Sequence, residues 1–137
     1  MSSPEPQLRA VDDGENLFRA ITYWDWWDES TDRPSSAAFY RSHFSANVTS
    51  GITAEVMLKG FRPGTGLVEF RCADARQFEY DPRHDQQENE HESHCTVFRR
   101  CPNRRKKIRA QELADSCTNV QRPDVARLRQ QQVPPQK

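Results

Sequence analysis

The spacing of the apolar residues changes near residue 46, and this change limits the possible folds more than any other feature of the chain. Before it, five apolar residues recur at helical intervals and share one face of a helical wheel: Leu17, Ala20, Ile21, Trp24 and Trp27. After it, the even positions of 48–58 read Val, Ser, Ile, Ala, Val and Leu, whereas the odd positions are mostly polar. This period of two predicts a long, half-buried strand.

Two helices are predicted before the strands. The first begins with Asp12 as N-cap and Glu15 three residues later, which is the spacing of a capping box. The second follows Pro34 and reads "SAAFYRSHF". The segments "LVEFRC", "QFEYD" and "HCTVFRR" alternate and predict antiparallel strands, the first of them closing a hairpin with the strand before it. We therefore expect an α+β domain with N-terminal helices packed on an antiparallel sheet.

Composition sets the expected limits of this domain. The chain has 137 residues, of which 34% are hydrophobic and 29% charged, on the polar side of the average for a globular protein. Polar, proline-containing ends explain this balance if residues 1–12 and the Gln/Pro-rich tail 119–137 are disordered. Residues 13–118 are then expected to form a single domain.

The sequence also predicts a compartment. It has no apolar stretch of membrane-spanning length, and its amino terminus lacks the pattern of a secretory signal. These features predict an intracellular, cytoplasmic protein without a membrane partner, or a nuclear one if the source is a eukaryote. The four cysteines, at positions 72, 95, 101 and 117, are then expected to be thiols.

Two segments carry a resemblance to a known family. The aromatic-rich "LFRAITYWDWWDES" and the segment "FYRSHFSANVTSGI" resemble the first helices and first strand of the NTF2-like superfamily, in particular its SnoaL-like branch, over about residues 15–60. The resemblance implies a curved, cone-like sheet that encloses a ligand cavity. It also implies an Asp/His/Tyr set for dehydration or isomerisation.

Four residues are the candidates for those catalytic roles: Asp28, Asp25, His43 and Tyr40. A carboxylate set among indoles is desolvated, which raises its pKa towards the range of a general acid or base. The alternative for Asp28 is a structural role, in which it hydrogen-bonds the "STDR" turn while Trp24 and Trp27 are ordinary core residues.

Aromatic side chains are the candidates for a ligand-binding wall: Trp24, Trp27, Phe39, Phe70, Phe78 and Tyr80. An apolar cavity of this kind suits a small apolar molecule. Because no cofactor motif is present, any chemistry is expected to be cofactor-independent, as in a dehydratase or an isomerase. Whether the protein is an enzyme stays open. Trp26 is expected to point away from the core, towards a second copy of the chain or towards the tail.

The charge distribution supports a second functional hypothesis. Residues 1–93 hold 9 Lys/Arg and 17 Asp/Glu, a net charge of −8, and residues 94–137 hold 11 and 3, a net charge of +8. Segment 99–109 contains seven basic residues, including Arg104, Arg105, Lys106 and Lys107. Such a segment can bind nucleic acid or an acidic partner, which would make the protein a non-catalytic interaction module. The alternative is neutralisation by the acidic body of the same chain.

Metal-ligand residue types are concentrated between residues 84 and 101. They are His84, His91, His94, Cys95 and Cys101. The chain has neither a CxxC pair nor an HExxH motif, so no metal site is predicted.

Overall fold

The computed structural model describes residues 8–87 and 89–132. Its main feature is a six-stranded antiparallel sheet of order β6-β7-β4-β1-β5-β8, beside a two-stranded ribbon β2-β3. The strands are β1 Asn16–Ile21, β2 Trp27–Asp28, β3 Arg33–Pro34, β4 His43–Val48, β5 Gly66–Arg71, β6 Tyr80–His84, β7 His94–Arg99 and β8 Thr118–Gln121. The helices are α1 Ala54–Lys59, α2 Cys72–Gln77, α3 Lys106–Ser116 and α4 Val125–Gln131.

The prediction of two N-terminal helices is wrong. Residues 16–21 form the central strand β1, which pairs with β5 along its whole length. Five of its six residues are buried, because both faces of β1 are covered. A strand buried on both faces has a continuous apolar run, and periodicity cannot distinguish that run from a buried helix. The expected second helix is a 3-10 turn at Ser36–Phe39 followed by β4, so no pair of N-terminal helices packs on the sheet.

The long strand predicted for 48–58 is also wrong. Strand β4 ends at Val48, a 3-10 turn follows at Thr49–Gly51, and α1 begins at Ala54. The Thr53 side chain accepts a hydrogen bond from the backbone N–H of Val56 and so caps α1. The alternation of residues 48–58 therefore reflects a turn and a short helix. The predicted hairpin is absent as well, since β5 pairs with β1 and β8.

The folded region extends beyond both predicted limits. Val11 is buried, and Ala10 forms a bridge with Arg83 on β6. At the other end, the predicted tail includes β8 and α4, whose Val125 and Leu128 are buried. Spaced by three, these two side chains anchor one face of a short helix. Residues 1–7 and 133–137, the outer parts of the predicted disordered ends, lie outside the described residues.

Two apolar clusters hold the sheet, and they lie on opposite faces of β1 because strand side chains alternate. The larger cluster includes Leu17 and Ile21 of β1 and Leu113 of α3. Its centre is a group of four rings in edge contact, Phe39, Phe44, Phe70 and Tyr80, with the Tyr80 hydroxyl donating to the Phe39 carbonyl at 3.0 Å. The smaller cluster contains Phe18, Ala20, Leu67 and Met57 of α1.

Candidate functional site

The candidate site lies where two strands of the sheet separate. The pairing of β1 with β4 is limited to Leu17↔Val48 and Phe18↔Asn47. Beyond Phe18, β1 continues along β5 while β4 continues along β7. Residues from both strands line a cavity of about 530 Å³, among them Arg19 and Ala20 of β1 and Ser45 and Asn47 of β4. Helix α1 and the loop before β7 complete its wall.

Arg19 is the buried charge of this cavity. Its side chain is 9% exposed. Nε and Nη2 donate to the Ala38 carbonyl at 3.1 and 3.0 Å, and Nη1 donates to the Ser45 carbonyl at 3.1 Å. The guanidinium also lies over the rings of Trp26 and Phe44, at 4.5 and 4.9 Å from the ring centres. Arg19 therefore bridges the gap between β1 and β4.

The charge of Arg19 is not neutralised within the described part of the chain. All of its hydrogen-bond acceptors there are backbone carbonyls, and it forms no ion pair with a described carboxylate. Burial, together with the charge of Arg41, lowers the pKa of Arg19 to about 9, so the guanidinium is still charged at neutral pH. A guanidinium has five N–H donors, and three of these contact the protein. One N–H on each terminal nitrogen has no acceptor among the described residues.

Two histidines line the same cavity and have opposite hydrogen-bonding roles. His94 is 2% exposed, and its Nδ1 lies 2.6 Å from the Asp85 carbonyl. His91 is exposed, and its Nδ1 accepts from the backbone N–H of Ser93 at 3.1 Å. The Ser93 hydroxyl lies 2.8 Å from the same His91 nitrogen and accepts from the Asn47 amide at 2.9 Å. These contacts orient both rings in the wall of the cavity that Arg19 also lines.

One side of the cavity is apolar. It is formed by Ile52, Val56, Met57 and Phe61 on and around α1. Val56 and Phe61 are 52% and 40% exposed, so an apolar surface continues from the cavity to solvent. Glu90 also lines the cavity, from an exposed position in the loop between β6 and β7. The site thus combines a buried cation, two imidazoles and an apolar side.

The predicted catalytic residues lie elsewhere. Asp28 is on the β2-β3 ribbon and accepts from the Ser30 hydroxyl at 2.6 Å and from the Ser30 backbone N–H at 3.0 Å. The hydrogen bond from the Ser30 side chain is the main cause that lowers the pKa of Asp28, opposite to the expected direction. This geometry matches the structural alternative, in which Asp28 stabilises its own turn.

The other three catalytic candidates are exposed and do not form a group. Asp25 is exposed within the 3-10 turn Trp24–Trp26. His43 stacks near Phe98 at the start of β4, and the ring of Tyr40 lies under the Lys106 ammonium at 4.8 Å. Among the described residues, no hydrogen bond, ion pair or ring contact joins any two of the four predicted catalytic residues. The Asp/His/Tyr set implied by the family resemblance is therefore not assembled.

The predicted ligand-binding aromatics are core or surface residues, and none of them lines the cavity described above. Phe39, Phe70 and Tyr80 are buried in the larger cluster, and Phe78 packs against it. Trp27 is also in this cluster. The other two indoles are placed opposite to the prediction. Trp24, expected in the core, is 39% exposed under the Arg129 guanidinium, whereas Trp26, expected at the surface, packs against the core.

Three of the seven basic residues in segment 99–109 form ion pairs with acidic residues of the same chain. Arg105 and Arg109 both pair with Glu79, at 2.8 and 2.9 Å, and Arg100 pairs with Asp81 at 3.0 Å. Lys106 lies over Tyr40. Arg104 and Lys107 are exposed. Part of the positive charge that motivated a nucleic-acid partner is therefore paired within the same chain, whereas Arg104 and Lys107 face solvent.

Glu79 provides a test of this neutralisation. Hydrogen bonds from Arg105 and Arg109 lower the pKa of Glu79 below its ordinary value of 4.5. A carboxyl group whose pKa is lowered in the folded state contributes stability that is fully present above pH 4.5. This contribution is lost as the pH falls through the pKa of the folded state. Glu79→Gln should therefore reduce the free energy of unfolding at neutral pH. As the pH falls, the variant should lose less stability than the wild-type protein does. Urea unfolding at a series of pH values measures both effects.

The matched control is Glu92→Gln, which removes an exposed carboxylate with no hydrogen bond or ion pair in the described part of the chain. This variant should keep the wild-type pH dependence. If the wild-type protein and the Glu79→Gln variant lost the same amount of stability at acid pH, the ion-pair assignment would be contradicted.

Two further findings concern metal binding and membrane insertion. In residues 8–87 and 89–132, no group of three or more His, Cys, Asp and Glu side chains could hold a metal ion. No helix in these ranges is long and apolar enough to span a membrane.

Comparison with known proteins adds no relative. No family model, curated protein or solved structure matches the chain. The resemblance to the NTF2-like superfamily is therefore untested, although the N-terminal helices that it implied are absent.

Sequence reasoning missed the residues that form the cavity. Arg19 was overlooked because it stands inside the apolar run "NLFRAI", where its neighbours were interpreted as a helix face. A charged residue within a buried run is rarely without a partner, and this rule is the signal that could have singled it out. His94 was considered only as a metal ligand.

Proposed function

We propose that this domain binds a small organic anion in the cavity between β1, β4 and α1, with the carboxylate or phosphate of the ligand on Arg19. The observation that carries the proposal is the buried guanidinium, which has carbonyl acceptors but no described carboxylate partner. Removing a charge from water costs several kcal/mol, and an anion would offset part of that cost. The planar guanidinium fits the oxygens of both groups.

The size and the apolar side of the cavity support an organic ligand. Its volume of about 530 Å³ falls within the usual range for small-molecule sites. Ile52, Met57 and Phe61 offer an apolar surface on the α1 side, which suits an aliphatic or aromatic body. The ligand therefore has an anionic head and an apolar remainder. A small-molecule ligand was expected from the sequence, but in this proposal it is charged and is held by different residues.

Selective labelling of methionine gives a direct test. The chain has two methionines, Met1 and Met57, and Met57 lines the cavity. With a carbon-13 label on the methionine methyl groups, the Met57 signal should shift and saturate when phenylacetate or phenyl phosphate is added. Comparing these two compounds shows whether a carboxylate or a phosphate is preferred. If neither compound moves the Met57 signal at concentrations well above the millimolar range, the proposal fails.

Chloride at equal ionic strength is the control for the titration, because it adds negative charge without an apolar body. A Met57 signal that responds to chloride as strongly as to phenylacetate would contradict the proposed organic ligand. Enzymatic turnover, whether by dehydration or isomerisation, remains a sequence-based prediction.

A further inference from the structure

The contact of His94 with Asp85 defines what the buried ring can offer to a ligand. A carbonyl oxygen only accepts hydrogen bonds, so the contact at 2.6 Å requires a proton on His94 Nδ1. In the neutral ring, the acceptor lone pair is then on Nε2. This nitrogen is buried and has no hydrogen-bond partner among the described residues. Leaving a buried acceptor without a hydrogen bond is unfavourable, because its contact with water has been lost.

His94 and Arg19 line the same cavity. A guanidinium already places one positive charge in the cavity wall, and the described carboxylate in the lining, Glu90, is exposed rather than paired with Arg19. His91 has the opposite arrangement, since its Nδ1 accepts from Ser93 and its neutral ring therefore carries the proton on Nε2. The cavity wall thus contains one imidazole acceptor and one imidazole donor.

We propose that the ligand is a hydroxy acid: its acid group binds Arg19, its hydroxyl donates to His94 Nε2, and its apolar body packs on α1. This inference rests on the proposed binding of an organic anion and names the second polar group of that ligand. A simple acid lacks a donor and leaves Nε2 without a partner. A hydroxyl supplies the donor without adding a positive charge next to Arg19.

Matched pairs of acids test the inference. Mandelate differs from phenylacetate only by a hydroxyl, and tropate differs from hydratropate in the same way, with its hydroxyl one carbon further from the acid group. In at least one pair the hydroxy acid should bind about tenfold more tightly, as measured from the Met57 methyl signal. Equal affinities within both pairs would overturn the inference.

The variant His94→Asn is the matched test of the acceptor. The amide nitrogen of asparagine takes the place of Nδ1 and can still donate to the Asp85 carbonyl, whereas the Nε2 acceptor is removed. In this variant the two acids of a pair should bind within about twofold of each other. If the preference for the hydroxyl persists, His94 is not its acceptor.

Imidazole nitrogen-15 spectra of the wild-type protein give a second measurement that does not depend on the folding of a variant. In the free protein, His94 should carry its proton on Nδ1, and the Nε2 signal should move with mandelate or tropate but not with their partners. A proton on Nε2 in the free protein would contradict the inference. If phenylacetate leaves the Met57 signal unchanged, the proposed function itself fails. If phenylacetate binds but no hydroxyl preference is seen, only the inference fails.

Discussion

Arg19→Gln is expected to weaken the binding of phenylacetate by about 100-fold or more. Glutamine is shorter than arginine and uncharged, so the variant loses both the positive charge and the two N–H groups left free by Ala38 and Ser45. In a buried site, little solvent screens the interaction of Arg19 with an anion. The affinity is measured by titration of the Met57 methyl signal, which lies in the same cavity.

Arg41→Gln is the matched control for this loss. Arg41 is close enough to Arg19 to contribute to its lowered pKa, but it is exposed and does not line the cavity. Removing it takes the same charge from the same region, and an exposed charge should change the affinity by no more than about threefold. Equal weakening in the two variants would mean that the ligand responds only to overall charge. That outcome would contradict a contact with Arg19.

Glu90→Gln provides the complementary comparison at the entrance. The Glu90 carboxylate is the described acid in the cavity lining, and it lies in an exposed part of the loop. A negative charge near the path of an anion opposes binding weakly through solvent. The binding of phenylacetate should therefore become slightly tighter in this variant, in contrast with the large loss for Arg19→Gln.

The wrong prediction of a helix for residues 16–21 shows why strand β1 could not be recognised from the local sequence pattern. Leu17 and Ile21 face the larger cluster, whereas Phe18 and Ala20 face the smaller one. Because both faces are apolar, the positions 17, 20 and 21 also satisfy a helical wheel. The decision in favour of a strand comes from pairing with β5, whose partners are some 50 residues away in the chain. Tertiary pairing of this kind is not visible in a single sequence.

Some strands were predicted correctly from the local pattern. The segment "HCTVFRR" was predicted to be a strand, and it forms β7. The tail was misjudged because its composition is polar, although Val125 and Leu128 provide enough apolar contact to fix a short helix. Average composition therefore did not reveal the two apolar residues that fix this helix.

The candidate site was the least predictable part. Its cavity exists because β1 leaves β4 after Phe18, and this divergence depends on the partners of both strands. The sequence showed Arg19 in an apolar run, but not that its acceptors would be the carbonyls of Ala38 and Ser45. All three tryptophans lie within residues 24–27, and Trp24 and Trp27 were predicted to form part of a ligand-binding wall. In the structure, the indoles of Trp26 and Trp27 mainly provide packing.

Phe39→Ala is expected to reduce the free energy of unfolding by about 3–5 kcal/mol, because a large core side chain is lost and a cavity remains. Phe39 is fully buried and makes edge contacts with Phe44 and Phe70 at 5.3 and 5.9 Å between ring centres. Urea unfolding measures the loss. The ligand affinity of the folded variant should be unchanged, since Phe39 does not line the cavity.

Phe61→Ala is expected to show the reverse behaviour. Phe61 is 40% exposed and lines the cavity, so its removal should cost less than about 1 kcal/mol in stability and should weaken phenylacetate binding. The sequence-based hypothesis placed Phe39 in the ligand wall and gave Phe61 no role. If Phe39→Ala weakened binding while Phe61→Ala did not, the ligand would lie against the aromatic core, and the cavity beside Arg19 would not be the site. The opposite pattern, with the stability effect on Phe39 and the binding effect on Phe61, would separate the residues that fold this domain from those that contact its ligand.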